Sequence, residues 1–104
     1  MDILIEKPTK QLLGELDCAR WPLWNCAVSR FPWHYDEEET CHILAGRVKV
    51  HTKNGVYELS PGILVTFAEG LDCEWEVLEP VRKHYTFKIG RIAKAGETTG
   101  ATAG

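Results

Sequence analysis

From Trp21-Pro22 onward the chain alternates with a period of two, and that pattern constrains it more than any other feature. Phe31, Trp33 and Tyr35 share one parity, while Arg30, Pro32 and His34 share the other. Leu71, Cys73, Trp75 and Val77 alternate with Asp72, Glu74 and Glu76 in the same way. Successive side chains of a strand point to opposite faces, so such a segment is a strand with one wet face and one dry face. Turn residues punctuate the pattern. Asn54-Gly55 is a type I′ hairpin signal, and Ser60-Pro61-Gly62 and Ala68-Glu69-Gly70 read as further turns. Pro80 is expected to separate the Cys73 strand from a last one, Val81 to Ile89. About seven or eight short strands at this spacing imply an all-β sandwich or barrel.

The N-terminal region differs. Residues 2–6 alternate weakly and suit an edge strand. Thr9 is placed to cap a short helix with Leu12, Leu13 and Leu16 on one face. Residues 90–104 are rich in Gly, Ala and Thr and read as a flexible tail. A chain of 104 residues has room for one domain, assigned to residues 1–89. The net charge of −3 and the lack of a basic run argue against a nucleic-acid surface. The opening Met-Asp-Ile-Leu-Ile-Glu-Lys does not resemble a signal peptide, and no apolar run approaches the ~20 residues of a membrane span. The expectation is a soluble, cytoplasmic protein with neither nucleic acid nor membrane as a partner. Its four cysteines make no Cys-x-x-Cys pair, and Cys18, Cys26 and Cys41 read as small buried hydrophobes.

Two glycine spacings are superimposed on the strand pattern. One is Glu39-x6-Gly46, preceded by Phe31-Pro32-Trp33-His34-Tyr35; the other is Gly62-x5-Ala68-x-Gly70-x2-Cys73. Both resemble the spacings of the two cupin motifs, whose strands form a small double-sheet jelly-roll barrel able to hold a metal or a ligand. In that frame Cys73 and Val77 stand where the second motif has histidine and asparagine. Parity places Trp33 and Tyr35 inside and His34 outside. Glu39 and Cys73 are what survives of the ligand set, fewer than the three that even an open zinc site takes. No cofactor is therefore expected. The fallback is a divalent ion (Mn, Fe or Zn) on Glu39, Cys73 and His34.

Glu39 shares parity with Cys41 and Ile43 and reads as an inward carboxylate, which needs a partner because a buried charge is costly. Lys83 is the odd member of the apolar set Val81, Lys83, Tyr85, Phe87 and Ile89. It is either a snorkelling lysine at the barrel mouth or a cavity cation that pairs with Glu39 or lowers the pKa of Cys73. Trp33, Tyr35 and Trp75 are either core or the aromatic wall of a ligand pocket. His42, His51 and His84 read as surface histidines.

Several motifs together resemble the small single-domain cupins of the ureidoglycine aminohydrolase-like family. They are Trp21-Pro22-x-Trp24, Phe31-x-Trp33-x-Tyr35, Glu39-Thr40-Cys41, Gly46, Val65-Thr66-Phe67, Gly70-Leu71-x-Cys73-x-Trp75 and Pro80-Val81-Arg82-Lys83-His84-Tyr85. The resemblance covers about Ile3 to Phe87. It implies an RmlC-like barrel and a homodimer. It carries over one residue of that family's manganese site, a glutamate, onto Glu39, so the aminohydrolase activity is not transferred. The reading is a small cupin that binds a small polar metabolite, with Glu39 as acceptor or base, Cys73 as thiol contact or nucleophile and Lys83 as charge partner. The alternatives are a metal-dependent cupin enzyme acting on a small nitrogenous metabolite and a non-catalytic scaffold.

Overall fold

Two long strands organise the molecule. In the computed structural model, which describes residues 1–95, they are β4 (Glu39–Thr52) and β7 (Asp72–Phe87). The other strands are β1 (Ile3–Glu6), β2 (Leu23–Cys26), β3 (Ser29–His34), β5 (Gly55–Leu59) and β6 (Leu64–Phe67), and all pairings are antiparallel. The first half of β4, Glu39 to Ile43, lies between β6 and the second half of β7, with β1 and β2 completing that layer. The second half of β4 pairs with β5 and with the first half of β7, and β3 closes that layer. The result is the jelly-roll barrel expected from the alternation, built from seven strands among the described residues.

Pro80 does not end a strand. It lies inside β7, which runs on to Phe87 rather than to Ile89. The reason is the register. Ala45 pairs with Arg82 and Arg47 with Glu79, so Gly46 faces both Pro80 and Val81 across a bulge. A bulged residue needs no ladder partner, and the missing N–H of proline costs nothing there. Both strands bend at this point and pass from one layer to the other. Gly46 has φ +95°, and a Cβ there would run into the Pro80 carbonyl oxygen and lie 2.7 Å from the Val81 Cα.

The dry faces meet in one core that includes Cys41, Ile43, Val50, Phe67, Trp75 and Val77. Leu71, Cys73, Trp75 and Val77 point inward as their parity requires. Thr40 and Thr66, cross-strand neighbours with no exposure, satisfy each other through a 2.9 Å hydroxyl contact. The helix α1 (Lys10–Leu16) starts where Thr9 Oγ1 accepts from the Leu12 N–H at 3.1 Å and ends at Asp17 in a left-handed conformation. It buries no residue completely, and Leu12, Leu13 and Leu16 are half-buried. The β4–β5 hairpin forms, but not as type I′. Its loop is Lys53-Asn54, with Gly55 already paired to Thr52, and Asn54 does not have positive φ. Thr52 Oγ1 holds the turn by accepting from the Asn54 N–H and donating to the Gly55 carbonyl. Residues 91–95 form a helical turn, and Arg91 clasps Glu6 through two bonds of 3.1 and 2.6 Å. The rest of the expected tail, residues 96–104, lies outside the described residues.

The two glycines of contrasting surroundings give a stability test. Gly46→Ala should cost about 2 kcal/mol or more in urea denaturation, because both the clash and the positive φ oppose it. Gly14→Ala, in the helix with open space around it, should stabilise by about 0.5–1 kcal/mol.

Candidate functional site

On the inner face of the barrel the β4–β7 register pairs Glu39 with Phe87, Cys41 with Tyr85 and Ile43 with Lys83. Lys83 therefore starts beside Ile43, and its long stem runs diagonally across the ladder past Cys41 to Glu39. Its Nζ donates to Glu39 Oε2 at 2.9 Å and to Cys41 Sγ at 3.2 Å. The Cys41 thiol donates in turn to Glu39 Oε2 at 3.0 Å. The Lys83 and Glu39 side chains are only 7% and 10% exposed. Each charge is thus taken out of water and repaid by the other, which is the condition under which such a pair survives in an interior.

Aromatic rings enclose the pair. Lys83 Nζ lies 4.8 Å from the centre of the Trp24 ring and 4.7 Å from that of Trp75, within cation–π range. Trp75 is fixed by its Nε1–H, which donates to the Tyr35 hydroxyl at 3.0 Å, and by stacking on Phe31. Tyr35 stacks on Phe67 at 4.6 Å. Above the pair remains a cavity of about 220 Å³ whose wall includes Trp24, Phe31, Tyr35, Trp75 and Tyr85, with Trp33 and Phe87 at its edge. Glu39 and Lys83 are the charged residues of the wall.

The structure brings together Glu39, Lys83, Tyr35 and Trp75. Trp33 lines the cavity from the rim and is 51% exposed, so it is less interior than its parity implies. Cys73 does not join them. It pairs with Trp33 across β3 and β7 and packs on the core without lining the cavity. The thiol that Lys83 meets is Cys41, two residues from Glu39 on the same strand face. Its parity with Glu39 was the available signal, but a cysteine between apolar neighbours reads as plain core. Trp24 was also missed, because β2 is too short to show its own alternation. His34 points away from the interior, with Nδ1 2.7 Å from Asp72 Oδ1. The fallback metal set of Glu39, Cys73 and His34 is therefore not assembled, and no group of three His, Cys, Asp or Glu among the described residues is arranged to hold a metal ion. The two donors that do converge, Glu39 and Cys41, are engaged by an ammonium, so the residues present do not fit a divalent ion.

Burial pushes the Cys41 thiol far above its ordinary value; Lys83 opposes this and Glu39 adds to it. Burial, with Asp72 adding, pushes Cys73 up to about 11. Burial alone would lower Lys83, but Cys41 and Glu39 more than offset it and hold the ammonium above its ordinary value. Tyr35 is raised well above its ordinary value, first by burial and then by Cys41 and Glu39. At neutral pH the cluster thus sets an ammonium and a neutral thiol against Glu39 Oε2.

Two predictions follow from this electrostatic arrangement. Glu39→Leu and Lys83→Met should each cost about 3–5 kcal/mol in urea denaturation, because either leaves a buried charge alone; the double variant should recover most of the loss. Stability should also fall as pH rises above about 9, since an unfolded chain releases thiol protons near 9.0 that the folded protein retains. Lys83, also raised, acts with the same sign at higher pH, its stabilisation being lost as pH climbs through its folded value. Urea midpoints at pH 7, 9 and 10 read the slope, which Cys41→Ala and Cys73→Ala should each flatten.

Comparison with known proteins bears on this site. Residues 13–85 match the EutQ-like cupin domain family. A DUF861-family protein from Thermotoga maritima, known from its crystal structure, is 52% identical and superposes with a TM-score of 0.81, covering 84% of this chain and all of that one. A DUF861-family protein from Pseudomonas syringae pv. tomato is 26% identical, with a TM-score of 0.56 over 61% of this chain and 28% of its own. The EutQ protein of Clostridium difficile is 17% identical, with a TM-score of 0.57 over 61% of this chain and 50% of its own, a likeness of fold alone. No curated protein matches the chain.

Proposed function

This chain belongs to the EutQ-like cupin domain family, and from that premise we propose that it binds a small polar metabolite in the aromatic cavity above Glu39 and Lys83. The observation that carries the reading is the buried ion pair at the foot of an apolar cavity of about 220 Å³. Ligand sites are mostly apolar concavities with a few fixed polar groups, and the arrangement has that form. A volume above the ~150 Å³ that accepts benzene in an engineered cavity is ample for a small ring.

Binding is better supported than turnover. A thiol raised far above neutrality is a weak nucleophile, and a lysine held as an ammonium has no free lone pair to attack with. Glu39 is then an acceptor, Lys83 a donor, and Cys73 a packing residue. The likeness to ureidoglycine aminohydrolase-like cupins supports the barrel and leaves that family's chemistry aside. The proposal also includes a cytoplasmic setting and a homodimer; no helix among the described residues is long and apolar enough to cross a membrane.

A metabolite panel screened by thermal shift tests the reading, because a ligand of the folded state raises the melting temperature. A hit should move the indole N–H signals of Trp24 and Trp75 in heteronuclear NMR and leave Trp21, whose Nε1–H donates to the Leu16 carbonyl away from the cavity, unchanged. Trp24→Leu should weaken the hit at least tenfold. Hits that move Trp21 alone, or a panel that leaves the melting temperature unchanged, would overturn the proposal.

A further inference from the structure

Glu39 and Lys83 do not exhaust one another. Glu39 Oε2 accepts both bonds of the cluster, from Lys83 and from Cys41, while Oε1 accepts neither. No side-chain oxygen among the described residues is both fully buried and unpaired, so Oε1 keeps some exposure on a residue that lines the cavity. An ammonium has three N–H bonds. Lys83 spends two, on Glu39 Oε2 and Cys41 Sγ, which leaves one on a nitrogen that lies between the Trp24 and Trp75 rings of the cavity wall. The foot of the cavity therefore offers one acceptor and one donor close together. Their charges cancel, and the remaining wall is largely aromatic.

We infer that the ligand is a neutral, planar molecule with a hydrogen-bond donor beside an acceptor, the chemistry of a cyclic amide. Its N–H meets Glu39 Oε1, its carbonyl meets Lys83 Nζ, and its faces lie against the aromatic wall. An anion would bring a second negative charge to Glu39, and a cation a second positive charge to Lys83. Either would enter a largely aromatic site without a counter-charge, and the desolvation that goes with it is costly. A wholly apolar ring would bury Oε1 and the spare N–H unpaired, which also costs free energy. The inference rests on the aromatic cavity being a binding site and adds what the site selects.

The test is an NMR titration of the untagged wild-type chain at pH 7 with four ring compounds: 2-pyridone, benzoate, benzylamine and toluene. The Trp24 and Trp75 indole signals report on the cavity. 2-Pyridone should bind at least tenfold more tightly than each of the others. The double variant Glu39→Leu/Lys83→Met should lose the preference for 2-pyridone over toluene. If toluene binds the wild type as well as 2-pyridone does, the donor–acceptor inference fails and the cavity survives as a binding site. A preference for benzoate or benzylamine refutes the charge argument. If none of the four moves those signals, the cavity is packing alone and the binding proposal falls with the inference. The wild-type comparison decides these outcomes even if the double variant does not fold.

Discussion

Gly46 can lie against the Pro80 carbonyl because it has no Cβ, and that approach sets where β4 and β7 bend. Each strand serves in both layers of the barrel. A bend displaced by one residue would reverse the facing of every side chain beyond it, since the period of a strand is two. Glu39 and Cys41 lie on one side of the bend in β4, and Lys83 lies just past the bend in β7. Their meeting inside the barrel, rather than on its surface, depends on the bulge at Gly46 holding its register.

The ion pair adds a different kind of constraint. A barrel this small could be filled with aliphatic side chains at no loss of stability, because buried pairs seldom outcompete good apolar packing. What Glu39, Lys83 and Cys41 add is direction. Each bond has one acceptable geometry, and Trp24 and Trp75 pack around the ammonium rather than into the space it occupies. The aromatic wall is thereby held open by a polar group that cannot be compressed into it.

Much of this was legible in the residues. Alternation gave the strands and the inward facing of Tyr35, Trp75 and Glu39, because parity is a local property. The Thr9 cap was legible for the same reason. Alternation put Lys83 on an apolar face but left open whether its tip reached water, and the structure buries it. Pairing was harder to read. Pro80 is a strand breaker by local chemistry and is tolerated because it lies in a bulge of β7, where Gly46 alone faces both Pro80 and Val81 and no ladder bond needs its N–H. Asn54-Gly55 signals one turn type, but the Thr52 hydroxyl stabilises another. Lys83 meets Cys41 and not Cys73, a choice made by which half of β7 lies beside which half of β4. Strand register across a fold is not written in either strand alone.

A lysine tethered at the centre of a barrel also changes how the site is supplied. A resident ion must be acquired after synthesis, can be lost to a competing chelator and can change oxidation state. Nζ of Lys83 arrives with translation, one per chain, and is positioned when β4 and β7 zip together. Folding the barrel and placing the cation in its cavity are then a single event.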